Sequence, residues 1–342
     1  MKRKINFDLM RVFLAFLVVV LHTSAFFWPL ENFSDNNFLY LSFINSFTRA
    51  SVPVFLMLSG YFLLSREENL TYILKKSLHI YILFIIWSIF YTFPAILRDF
   101  SFKNFINLFL SSNYHLWYLM AAVWCYLLSP FLYGLKKLPE KYFNYMMVFM
   151  ILFGPISYSL SNFINILNHP TLYNLYSTLR IYFFGNIIIY FASGYFLKKD
   201  FNKIFDFILK NNLILFLIFV CVSIFNGFLT FHFSKVENSP IMIFFDNFNI
   251  IVFLQSFIIF LFFKNINFSS IKKSTEKIIL IFSKCSFGIY LIHPFILRYL
   301  GPLFLEKNPI SSTFILSFII FILSFVFSFI VLKMPFAKKL VS

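Results

Sequence analysis

RVFLAFLVVVLH, residues 11–22, sets an arginine and a histidine at the two ends of ten uninterrupted apolar residues. On a helix, eleven steps of ~100° make three turns plus about 20°, so Arg11 and His22 share a face. At ~1.5 Å rise per residue they stand ~16 Å apart, about half the thickness of a hydrocarbon core. This reads as the first of a series of membrane spans, and it leaves a choice. Either Arg11 snorkels to the surface and His22 is structural, or one stripe of the helix faces something polar.

Composition carries the first part of that reading to the whole chain. Of 342 residues, 60% are hydrophobic, 12% are charged and 56 are Phe. A soluble domain carries about a quarter charged residues, so a polytopic all-α membrane protein is expected. Cys125, Cys221 and Cys285 all lie in apolar runs without CxxC or Cys/His spacing, which argues against a disulfide framework or a metal site. The basic start before residue 22 lacks a small-residue cleavage site, and Asp8 and Arg11 interrupt it, so it reads as a retained span.

Ten spans are expected, at about 7–27, 44–65, 78–98, 115–134, 142–162, 181–197, 211–232, 242–263, 279–300 and 312–332, in one domain with both termini cytoplasmic. On that count 21 of the 29 Lys and Arg fall on the inner side. Only Arg49, Arg98, Lys103, Arg180, Lys235, Arg298 and Lys307 fall outside, the bias expected for an even number of spans. The same loops hold the net charge of +16, facing anionic lipid, so a nucleic-acid partner is not expected. The outer stretches 28–42 and 162–180 are rich in Asn, Ser and Tyr, a composition that suits sugars or an ordinary interfacial loop.

Ionisable residues inside spans are expensive, so they mark cavities or pair with one another. Asp8 and Arg11, three apart, can pair. Imidazole suits proton transfer near neutral pH, and His22 lies ~22 Å along its helix, past the midplane. In the second span Ser59 and Gly60 permit close helix approach. Ser59 shares a face with Arg66, whose guanidinium suits a phosphate or a positive-inside anchor equally well. Arg49 stands at the outer end of that span, where an anionic acceptor would meet it. His115, Trp117, Tyr118 and Trp124 fit an interfacial aromatic belt. Tyr290 and His293, three apart and followed by Pro294, put a second histidine at the depth of His22.

These residues together resemble the acyltransferase 3 family of membrane O-acyltransferases, whose hallmark is an Arg, ten residues and a His in the first span. The stretches SVPVFLMLSGYFLL (51–64), YHLWYLMAAVWCYLLSPFL (114–132) and SFGIYLIHPFIL (286–297) look like the family's other characteristic segments. The second and fourth stretches look closest to the branch that O-acetylates enterobacterial common antigen. The resemblance implies a multi-pass enzyme of a bacterial cytoplasmic membrane, with no bound cofactor. It would move an acyl group, acetyl being the expected one, from cytoplasmic acetyl-CoA or another acyl-CoA to a sugar hydroxyl of a cell-surface or lipid-linked glycan.

On that resemblance His22 is the acid/base and Arg11 its catalytic partner in the acyl-CoA channel. Asp8, Ser59 and Arg66 are expected on the acyl-CoA side, and Arg49, His115, Trp117, Tyr290 and His293 on the acceptor or supporting side. Direct transfer and a covalent acyl-histidine both fit the residues. The rival reading is a transporter or exporter of a glycan or its precursor. Against it stand only 8 Gly and no evident inverted repeat.

Overall fold

The computed structural model describes residues 4–96, 115–167, 169, 171–174, 186–198, 203–268 and 271–341. Among them no strand occurs, and thirteen α-helices follow one another. They are α1 (Ile5–Phe27), α2 (Asn36–Thr48), α3 (Ser51–Leu63), α4 (Leu70–Ile96), α5 (Trp117–Lys137), α6 (Glu140–Ile151) and α7 (Ser157–Ile166). Then come α8 (Asn186–Phe196), α9 (Lys203–Lys210), α10 (Asn212–Glu237), α11 (Ile250–Asn265), α12 (Lys273–Leu300) and α13 (Pro309–Lys333).

Among the described residues nine helical stretches are long and apolar enough to cross a membrane, and they match nine of the ten expected spans. The remaining span, expected at 181–197, is described only as the 11-residue α8. Arg98, Lys103, Arg180 and most of 168–185 lie outside the described residues.

Two expectations are corrected. The stretch 28–42 is not all loop: a helical turn at Trp28–Leu30 is followed by α2 from Asn36. Accordingly, the second span starts earlier than residue 44 and is broken near Arg49 and Ala50. Pro53 supplies the physical reason for the break, because it has no N–H to give the carbonyl of Arg49 four residues back. The chain restarts with Val54 N bonding Ala50 O at 3.1 Å.

The helix bearing Arg11 and His22 is the centre of the bundle, packed against α2, α3, α11, α12 and α13. Its apolar residues serve two sides. Met10, Leu14 and Val18 join the core shared with α3 and α11, while Ala15 and Val19 join the one shared with α12 and α13. The Ser-Gly pair of α3 does what its small size suggests. Gly60 meets the backbone of Phe191 in α8, and Gly194 meets that of Met57 in return. At the periphery, α10 and α13 turn rows of Phe, Ile and Leu outward, the surface a bilayer would cover.

Candidate functional site

A cavity of about 580 Å³ opens between the helix ends that carry Lys4, Arg66 and Lys76. Three periodic stripes line it. From α1 come Asp8 and Arg11; from α3 come Val52, Phe55, Ser59 and Phe62; from α12 come Ser286 and Tyr290. Tyr72, Lys76, His79 and Leu83 of α4 and Tyr118, Ala122 and Tyr126 of α5 complete the wall. Four cationic side chains face it against one carboxylate, so the cavity favours an anionic guest.

The expected Asp8–Arg11 pair is present, with Nη1 3.1 Å from Oδ1. Asp8 is 1% exposed, and its same oxygen accepts from the Ser283 hydroxyl at 2.7 Å. The guanidinium of Arg11 also lies over the Phe62 ring, 5.2 Å from its centre, a cation–π contact on the cavity wall.

Beyond Tyr290 three histidines, His22, His115 and His293, converge. His22 Nδ1 stands 2.6 Å from His293 Nε2, and the two rings lie edge to edge, centres 4.9 Å apart and planes 15° apart. His293 is 0% exposed, and its Nδ1 meets the carbonyl of Ile289 at 3.1 Å. His115 is buried 6.0 Å from His293, with Tyr91 against its other side. Tyr290 links this group to the cavity: it lines the wall, donates its hydroxyl to the His115 carbonyl and packs on Tyr118 at 5.3 Å.

A second polar group surrounds Arg49, within electrostatic reach of His22. The guanidinium of Arg49 donates from Nη2 to Asn45 Oδ1 and lies 4.6 Å from the ring centre of Phe245. The neighbouring Asp246 carboxylate accepts from the Tyr158 hydroxyl at 2.8 Å and from Phe248 N at 2.9 Å. Among the described residues, no acceptor meets Arg49 Nε or Asn45 Nδ2.

The structure therefore brings Asp8, Arg11, Ser59, Arg66 and Tyr290 to one cavity, and His22, His115 and His293 to one cluster beside it. Trp117 belongs to neither; it is half-buried at the start of α5 and packs against the core. Trp124 is 58% exposed on the outside of α5, whereas His115 is buried and Tyr118 lines the cavity, so these two do not form a surface belt.

Sequence reasoning missed Tyr72, Lys76, His79 and Tyr126 in the cavity, and Ser283 behind Asp8. One signal was present: Ser283, Ser286, Tyr290 and His293 follow 3-4-3 spacing, a single face of α12. A comparable spacing marks α4, where Tyr72, Lys76, His79 and Leu83 follow 4-3-4 spacing, but its polar members on this face lie in the first three turns of the helix.

A family model described as "Acyltransferase domain" matches residues 4–333. Two curated relatives, each named "Amino-acid racemase" and each from Enterococcus faecalis, are also similar. One is 28% identical over 216 residues, covering 57% of this chain and 28% of that protein. The other is 33% identical over 137 residues, covering 36% of this chain and 19% of that protein. The chain thus spans less than a third of either relative's length. No solved structure matches it.

Proposed function

The chain belongs to the acyltransferase family, and from that premise we propose that it carries an acetyl or similarly short acyl group from acyl-CoA to a glycan hydroxyl. The membrane is that of a bacterial cell, the donor is cytoplasmic, and the acceptor is a cell-surface or lipid-linked saccharide. The observation that carries this reading is the cavity itself, cationic at one end and closed at the other by the tyrosines beneath the histidine cluster. An acceptor of the enterobacterial common antigen type rests on the likeness of the second and fourth stretches alone.

The residues divide the work by chemistry. Lys4, Arg66 and Lys76 suit the phosphates of acyl-CoA, and a guanidinium adds two-pronged contact. The pantetheine arm follows the wall past Ser59 and Arg11, bringing the thioester toward His22. His22 takes the proton of the acceptor hydroxyl as its oxygen attacks the thioester carbonyl. The C–S bond then breaks, and the departing thiolate recovers that proton, leaving an ester and free CoA. Arg49 and Asn45, whose Nε and Nδ2 donors meet no acceptor among the described residues, suit a carboxylate or phosphate of the acceptor.

Membranes containing the protein, supplied with radiolabelled acetyl-CoA, test this. Label is expected in a lipid-linked or polysaccharide fraction, and His22→Ala is expected to abolish it without preventing membrane insertion. Full activity in that variant overturns the assignment of His22.

A further inference from the structure

The edge-to-edge pair of histidines carries more than proximity, because one neighbour of His293 has no freedom in its hydrogen-bonding role. The Ile289 carbonyl can only accept, so the Nδ1 that meets it at 3.1 Å must carry the proton. Pro294 strengthens that arrangement. It brings no N–H to the carbonyl of Tyr290, so a second acceptor of the same helix lies beside the His293 ring.

In the neutral imidazole of His293 the lone pair is then on Nε2. That atom lies 2.6 Å from His22 Nδ1, so His22 must donate from Nδ1. Its own lone pair consequently resides on Nε2, the nitrogen turned away from His293.

We propose that His293 is a positioning residue: it holds His22 in the Nδ1–H tautomer and makes His22 Nε2 the base that takes the acceptor's proton. This rests on the acid/base role given to His22 above. The chain of donors is fixed at its far end by a backbone carbonyl, which can only accept. It also serves the protonated state, because the imidazolium of His22 keeps its Nδ1–H bond to His293 while Nε2 holds the new proton. His115 and Tyr290 pack around the pair and limit ring rotation.

Two substitutions and one spectroscopic measurement test it in the full-length protein in detergent or nanodiscs. His293→Leu fills much of the space but offers no acceptor; His293→Gln retains a carbonyl that can accept from His22 Nδ1–H. His293→Leu is expected to lower kcat by about 100-fold or more, in the range of general acid–base contributions, with KM for acetyl-CoA unchanged. His293→Gln is expected to restore at least tenfold of that loss and to shift the pH profile of kcat.

Independently of activity, ¹⁵N NMR of histidine-labelled protein, with the His22 signal assigned from His22→Ala, is expected to show a protonated Nδ1 and an unprotonated Nε2. A protonated Nε2 in the neutral wild-type protein overturns the proposal. So does wild-type turnover in His293→Leu, or equal loss in the Leu and Gln variants with acetyl-CoA binding intact. Full activity of His22→Ala would instead overturn the acid/base role of His22, and the NMR tautomer would still report on the pair.

Discussion

Asp8 anchors Arg11 rather than merely neutralising it: one carboxylate oxygen takes the guanidinium at 3.1 Å and the Ser283 hydroxyl at 2.7 Å. The anchor ties α1 to α12 about three to four helical turns below the histidine pair, so the charge of Arg11 is aimed as well as balanced. Asp8→Asn adds a net positive charge to the cavity but frees the guanidinium to turn. Binding of CoA is therefore expected to hold or tighten while kcat falls by about tenfold, an effect the size of one charge-assisted hydrogen bond. Isothermal titration with CoA beside initial rates separates the two. A weaker affinity with unchanged kcat contradicts the positioning role.

Arg11→Lys asks the complementary question, since lysine keeps the charge and can still reach Asp8. It loses the planar fork and the stacking on Phe62, whose ring centre lies 5.2 Å from the guanidinium. Activity is expected to drop by tenfold or more. Rates near wild type would mean that any cation suffices at this depth.

The end of α3 is held in place by α5. Tyr133 donates its hydroxyl to the Leu63 carbonyl at 2.6 Å, and Lys136 Nζ reaches the carbonyls of Leu64 at 2.9 Å and Arg66 at 3.3 Å. These satisfy the terminal carbonyls of a helix and place a cation at its negative end. They also fix the backbone from which Arg66 enters the cavity. Lys136→Met is expected to raise KM for acyl-CoA several-fold at unchanged kcat, with Lys136→Arg intermediate. A selective fall in kcat would show that Lys136 acts on the chemistry instead.

How far this arrangement could be read from sequence depends on which residues announce themselves. Arg11 and His22 stand out because a charge and an imidazole are costly in hydrocarbon, and their spacing alone places them on one face. Tyr290 and His293 are legible for the same reason. That His293 touches His22, however, depends on how α12 crosses α1, and no local pattern encodes that crossing. The cavity wall of α4 was illegible for a second reason: Tyr72, Lys76 and His79 near a helix end read as ordinary interfacial residues. Ser59 and Gly60 were recognised as small, but that Gly60 admits α8 while Ser59 faces the cavity is known only from the packing.

That packing gives a stability prediction with an internal control. A Cβ at Gly60 would fall 1.8 Å from the Phe191 carbonyl oxygen, and one at Gly194 would fall 1.8 Å from that of Met57. Neither neighbour is a flexible side chain, so α3 and α8 must separate. Gly60→Ala and Gly194→Ala are each expected to cost at least the ~1–3 kcal/mol of ordinary overpacking. Gly134, with nothing within 4 Å of its would-be Cβ, is expected to accept alanine at no cost or with a small gain. Thermal unfolding of the three variants in one detergent compares them, and equal melting points would contradict the close α3–α8 contact.

Tyr118 and Tyr290, 5.3 Å apart between ring centres, with Phe55 6.4 Å from Tyr118, close the cavity beneath the histidines. On the proposed route a thioester passes these rings to reach His22, and they would then set the size of acyl group that fits. Tyr118→Ala removes the ring but leaves the Tyr290 hydroxyl on the His115 carbonyl, so the histidine cluster keeps its support. The variant is expected to raise kcat/KM for butyryl-CoA relative to acetyl-CoA by about tenfold, the scale at which one or two methylenes are discriminated in an apolar pocket. Paired rate measurements with acetyl-, propionyl- and butyryl-CoA give the ratio. An unchanged ratio together with full acetyl transfer would place the size limit elsewhere along the path.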